Sequence, residues 1–160
     1  MKAATIQEIK QELTSLKPPA ITELCLRLAR FKKENKELLT YLLFEAADEE
    51  SFITGIQQEI DDLFATINLS HLYFAKKSLR KIVRLINKYT RYSGVKETEF
   101  RLRLYFCRKL HDSGIPISRN PVINNLYQTQ LKKIKIALDT LHEDLQFDYR
   151  RELESLNEQD

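Results

Sequence analysis

Glycine and proline are scarce in this 160-residue chain, at 3 and 4 residues, and there are only 2 cysteines, 1 methionine and no tryptophan. Each shortage excludes something. With Gly55, Gly94 and Gly114 as the only glycines, no glycine-rich loop is present to cradle the phosphates of a nucleotide, of either the dinucleotide or the P-loop kind. Two cysteines, Cys25 and Cys107, both inside apolar-periodic stretches, do not make a disulfide scaffold. No window approaches the roughly 18 consecutive apolar residues of a membrane-spanning helix, and the first residues lack the apolar run of a signal peptide. A reduced, cytoplasmic protein is the expectation. Acidic residues are absent from positions 71–92.

What is present favours a folded, helix-rich protein. The chain is 42% hydrophobic and 31% charged, a balance that suits a buried core rather than disorder. Its length fits one domain, residues 1–160. Breakers and caps divide it into about seven helical segments. Thr5-Ile6-Gln7-Glu8 is a capping box, in which hydroxyl and carboxylate satisfy two free amides at a helix start. Pro18 and Pro19 end the first segment and suit the first turn of a second, which carries Ile21, Leu24, Cys25, Leu28 and Phe31 at three- and four-residue spacing. Asn35 punctuates a hairpin; a third helix from Lys36 then presents Leu38, Leu39, Leu42, Leu43 and Ala46. Asp48 is placed to cap a fourth over about 49–68, with Phe52, Ile53, Ile56, Ile60, Leu63, Phe64 and Ile67 inward.

Ser70 is the expected N-cap of a fifth helix, and Gly94 falls where a helix C-terminus prefers glycine. A sixth runs over about 97–112 to Gly114. Pro116 and Pro121 keep 115–120 from being helical throughout. The last segment, 122–156, repeats Leu131, Ile134, Leu138, Leu141 and Leu145 and then slips phase to Tyr149, Leu153 and Leu156, which allows a kink. Short links make neighbours antiparallel, so the fold expected is all-α, either an antiparallel bundle or a short two-layer stack of helix pairs. No repeat period decides between them. About two heptads over 131–145 leave a homodimer seam through the C-terminal helix as an alternative to packing on the protein's own bundle.

The stretch Glu23-Leu24-Cys25-Leu26-Arg27-Leu28-Ala29-Arg30-Phe31, continuing through Leu38-Leu39-Thr40-Tyr41-Leu42-Leu43-Phe44-Glu45, resembles a group of small, uncharacterised all-helical bacterial proteins over residues 5–47. The resemblance implies an α-helical fold and a bacterial source. It implies no activity and carries over no functional residue.

Charge is distributed unevenly. Basic and acidic residues number 8 and 5 in 1–43, 0 and 7 in 44–69, 13 and 3 in 70–119, and 5 and 8 in 120–160. The small net charge of +3 therefore conceals a block of −7 followed directly by one of +10, and a partner meets the local field. At about 100° per residue, Leu72, Ala75, Leu79, Ile82, Val83, Ile86 and Tyr89 share one arc of the fifth helix, and Lys77, Arg80, Lys81, Arg84, Lys88 and Arg91 share another. These six are the candidate anion- or partner-binding residues. Two accounts of them compete. Glu45, Asp48, Glu49, Glu50, Glu59, Asp61 and Asp62, on the preceding segment, would neutralise the stripe if they packed against it. Otherwise it faces a polyanion, and Tyr73, Tyr92, Tyr105 and Arg103 could extend that surface by stacking on bases, although aromatics at these spacings more often belong to a core.

Catalytic chemistry is thinly represented. His71, His111 and His142 lack metal-ligand spacing. Asp139 with His142, Glu45 with Asp48, and Glu59 with Asp62 are pairs that one helix face would bring together, short of the doubled Glu-x-x-His of di-metal bundles. Cys107 precedes Arg108 and Lys109, cations that lower a thiol pKa, but its apolar neighbours favour a buried structural thiol. No metal and no cofactor is expected. The leading functional expectation is a non-catalytic helical interaction module that binds a macromolecular partner, preferably anionic, whether an acidic protein or nucleic acid. Nucleic-acid binding through the six named residues is the alternative, and an enzyme with an unrecognised acid–base pair in a bundle cavity is the third class.

Overall fold

The computed structural model describes residues 1–68 and 71–157 and is all-helical, with no strand among them. The helices are α1 (Ile6–Ser15), α2 (Pro18–Phe31), α3 (Lys33–Thr40), a π-helical turn (Tyr41–Glu45), α4 (Glu49–Ala65), α5 (Leu72–Ser93), α6 (Lys96–Asp112), α7 (Pro121–Leu138) and α8 (Glu143–Asn157). They form two compact units, Met1–Phe44 and a second that begins at Glu45.

Local chemistry accounts for most boundaries. Thr5 and Glu8 form the reciprocal capping box that opens α1, and Pro18 sits at the first turn of α2. Asp48 caps α4 by accepting from the amide and hydroxyl of Ser51, at 3.1 and 2.6 Å. Gly94 closes α5 in the left-handed region, φ 69°, which only glycine adopts without steric cost. The expected cap Ser70 lies outside the described residues; α5 starts at Leu72 with His71 before it, and the His71 side chain makes no cap hydrogen bond.

Three boundaries differ from expectation. The α2/α3 break comes at Lys32, in extended conformation, rather than at Asn35. Asn35 lies within α3 and donates its side-chain amide to the Leu28 carbonyl, 2.9 Å away. It satisfies one of the carbonyls that the end of α2 leaves open. Helix α4 ends at Ala65, short of Asn68, its last turn tightened by Thr66 bonding back to Leu63 and Phe64. The segment expected over 122–156 is two helices, which makes eight α-helices among the described residues. Asp139 and Thr140 bond back into the last turn of α7, and the Gln146 amide donates to the Leu141 carbonyl at 2.8 Å, fixing the turn. The phase slip in the apolar pattern marks this break a few residues late.

In the second unit α6 is central. Phe100, Leu102, Leu104, Phe106, Cys107 and Leu110 are all buried, and at about 100° per residue they spread over about 200° of the circumference, so neighbours must cover more than half of α6. Helices α4, α5 and α7 pack against it, with Ile53, Ile56 and Ile60, Leu79, Ile82 and Ile86, and Ile123, Tyr127 and Ile134 as their inward residues. Helix α8 adds Tyr149, whose ring lies 4.5 Å from that of Phe100 and whose hydroxyl donates to Glu97 at 2.6 Å. In the first unit Tyr41 is the one buried side chain.

Candidate anion-binding face

Helix α5 divides cleanly into two faces. Ala75, Leu79, Ile82, Ile86 and Thr90 are buried at three- and four-residue intervals, while Val83 and Tyr89 are half-buried. On the opposite side Lys77, Arg80, Lys81, Arg84 and Arg91 are exposed. Lys88 is half-buried, its ammonium 4.5 Å from the centroid of the Tyr89 ring and 6.0 Å from that of Tyr92, close enough for cation–π attraction. From Lys77 to Arg91 the row covers about 21 Å at 1.5 Å rise per residue.

The acidic residues of α4 are divided between α6 and α5. Glu50 takes a bidentate pair from Arg101 of α6 at 2.5 and 2.6 Å, and Arg101 holds the Glu50 carboxyl below its usual range. Asp61 meets the ammonium of Lys109 at 3.0 Å and the hydroxyl of Tyr105 at 2.7 Å, both on α6. Glu49 accepts from Thr98 of α6 at 2.5 Å and from the Ser93 hydroxyl. Glu59 accepts from the Tyr89 hydroxyl at 3.1 Å, and Gln58 donates to Asp62 at 3.1 Å. Where these carboxylates reach α5, the partners shown are Tyr89 and Ser93. Among the described residues, Lys77, Arg80, Lys81, Arg84 and Arg91 form no ion pair.

Of the residues offered as extensions of that face, Tyr73 alone is largely exposed, at 73%, and at the helical angle it falls on the basic side, one turn before Lys77. Tyr92 is half-buried beside Tyr89, and Tyr105 is committed to Asp61. Arg103 is not on the surface at all. Its side chain is 3% exposed and bonds Glu99 through Nε (3.0 Å) and one terminal nitrogen (2.9 Å), the Gln130 side-chain carbonyl (2.6 Å) and the Asn87 side-chain carbonyl (3.0 Å). Lys96 adds a 3.1 Å contact to Glu99, and the Lys133 ammonium lies 3.5 Å from the Asn87 oxygen. Burial, together with the charge of Arg103, lowers the Lys133 pKa. The sequence reading missed this cluster of α5, α6 and α7; the four-residue spacing of Glu99 and Arg103 was its one local sign.

The other candidates separate. Asp139 and His142 do not share a helix face, because α7 ends at Leu138; the His142 ring meets Asp144 at 3.3 Å in solvent. Among the described residues no three His, Cys, Asp or Glu side chains are grouped to hold a metal. The Cys107 thiol is fully buried and desolvation pushes its pKa up to about 12, far from the thiolate a nucleophile requires. The loop at 115–118 borders a cleft of about 460 Å³ whose lining includes His111, Ser118, Asn124 and Gln128 but no carboxylate. No helix among the described residues is long and apolar enough to cross a membrane. Comparison with known protein families, curated proteins and solved structures finds none that matches this chain.

Proposed function

We propose that this protein is a non-catalytic helical interaction module that engages an anionic macromolecule through the outer face of α5. In this reading the helices of the second unit form an antiparallel bundle around α6 that holds the row of cations rigid and outward. The observation that carries it is the destination of the α4 carboxylates: Glu50 and Asp61 pair with Arg101 and Lys109, so the neutralising account of the stripe loses two of its strongest members. Like charges at four-residue spacing, such as Lys77 with Lys81 and Arg80 with Arg84, destabilise a lone helix by a few tenths of a kcal/mol each. A bound polyanion reverses that sign.

Nucleic acid is the second reading, favoured by exposed Tyr73 on the same face. An aromatic ring next to cations at phosphate spacing lets a base stack while the backbone is neutralised. From Tyr73 to Arg91 the combined face runs about 27 Å. Fluorescence-anisotropy titration of labelled RNA and duplex DNA at about 50 and 200 mM salt tests both readings, with Arg80→Glu, Arg84→Glu as the variant. Engagement of four phosphates predicts a loss of affinity of about 100-fold between the two salt concentrations, and the variant abolishes binding. Salt-insensitive binding would sink the nucleic-acid reading. If neither nucleic acid binds at low salt, titration with polyglutamate decides for an acidic protein partner, and its failure removes the face as an anion site.

A further inference from the structure

A second surface, independent of α5, lies within the first unit. Helices α2 and α3 meet at an extended Lys32, and the Asn35 side chain clamps the corner by its bond to Leu28. The angle between them encloses a groove of about 610 Å³, inside the range of roughly 300–1,000 Å³ typical of binding clefts. Its apolar lining is Leu26, Ala29, Leu39, Leu43 and Phe44. Its rim is Arg30, Lys32, Lys33 and Lys36, with no carboxylate in the lining; Lys33 also reaches Glu37 at 3.6 Å. The third helix was expected to turn Leu42 and Leu43 into a core. Instead the π-helical turn carries them outward, leaving Leu43 64% and Phe44 77% exposed, and such turns recur at functional sites.

We infer that this groove docks an amphipathic helix of a partner protein that carries carboxylates alongside its apolar stripe. The apolar lining offers nothing to a phosphate backbone, whereas leucine-type side chains at i, i+3, i+4 and i+7 bury against it. The rim decides the charge. Four cations distributed over α2, the corner and α3 exceed what one lipid head group or fatty-acid carboxylate would satisfy; several carboxylates along a helix meet them together.

The test is a titration of the full-length chain with a fluorescein-labelled 16-residue helix that carries leucines at those positions and glutamates beside them. A scrambled peptide of the same composition and a version with lysines for glutamates serve as controls. Saturable binding at least tenfold tighter than either control is expected. Leu43→Asp and Lys36→Glu, both at exposed positions and checked for helicity by circular dichroism, should each weaken it at least tenfold, and Arg80→Glu, Arg84→Glu should leave it unchanged. Loss in the α5 variant would place the peptide on the other face and overturn the inference. So would equal affinity for the scrambled peptide, or no binding at all. Self-association of the protein that Leu43→Asp abolishes would assign the groove to a second copy instead, and binding of dodecanoate with the same sensitivity would assign it to a lipid; either result overturns the proposal.

Discussion

The two units of this protein carry similar apolar periodicity and use it in opposite ways. Beyond Glu45 the periodic residues are interior: Phe52, Ile53, Ile56, Ile60, Leu79, Ile82 and Ile86 are each 7% exposed or less. Before Glu45, Leu28, Phe31, Leu42, Leu43 and Phe44 stand between 56 and 77% exposed. A helical repeat of hydrophobic residues defines a face; it does not say whether the same chain covers that face. The polar residues differ in the same sense. In the second unit a guanidinium is fully enclosed by partners from three helices, whereas in the first the cations stand at the rim of an open groove.

Removing one member of the enclosed cluster should break the comparison most visibly. Arg103→Ala leaves Glu99, Gln130 and Asn87 without their shared donor. Breaking a buried pair in this way costs about 3–5 kcal/mol because the remaining charge stays desolvated. Denaturant unfolding of the full chain measures it. Lys36→Ala, on the groove rim, should stay within about 0.5 kcal/mol of the parent. Equal effects at the two sites would show that the enclosure of Arg103 has no energetic consequence.

Large-to-small changes sharpen the same contrast. Ile60 is 0% exposed, and Ile60→Ala should cost about 2–5 kcal/mol through lost transfer energy and the cavity left behind. Leu42, at 56% exposure, removes little from water, so Leu42→Ala should change stability by no more than about 0.5 kcal/mol. A large loss at Leu42 would mean that the first unit's apolar face is covered in solution, and an oligomer measured by sedimentation would identify what covers it.

How far these features were legible follows the range of the interactions that make them. Thr5, Pro18, Asp48 and Gly94 act within one turn of their own position, and each was readable as a helix boundary. The inward faces of α4 and α5 were readable for the same reason, since a buried stripe needs only the 3.6-residue period. The corner at Lys32 was not, because no local propensity distinguishes it; Asn35 read as the break, while its side chain clamps the break from the next helix. Non-local pairing was least legible. Glu50 finds Arg101 and Asp61 finds Lys109 across 51 and 48 positions of chain, so adjacency in sequence pointed these two carboxylates at α5 when their ion pairs lie on α6. Arg103 was offered as an extension of the basic face because the side chains that enclose it, Asn87 and Gln130, lie 16 and 27 residues away.

The smallest expected effect concerns acid. Burial by itself raises the Glu99 pKa, but hydrogen bonds from Arg103 and Lys96, with their positive charges, outweigh it and hold the carboxyl below its ordinary 4.5. A depressed folded-state pKa means that the ionised form favours the fold. The contribution is complete above about pH 4.5, where the unfolded chain is also ionised, and disappears as pH falls through the lower folded value. Glu50 and Asp48 are depressed as well, so the wild-type acid limb alone does not isolate Glu99. The difference between wild type and Glu99→Gln does: it should be largest near neutrality and shrink progressively below pH 4.5. Glu8 supplies the counterpart in the first unit, where its hydrogen bonds with Thr5 depress it at a fully exposed site; solvent screening should make the Glu8→Gln difference smaller and flatter with pH. If the Glu99 difference holds constant from pH 7 to 3, the carboxylate's charge plays no part in holding Arg103 in the interior, and the cluster stands on the hydrogen bonds that Arg103 donates to the uncharged side chains of Gln130 and Asn87.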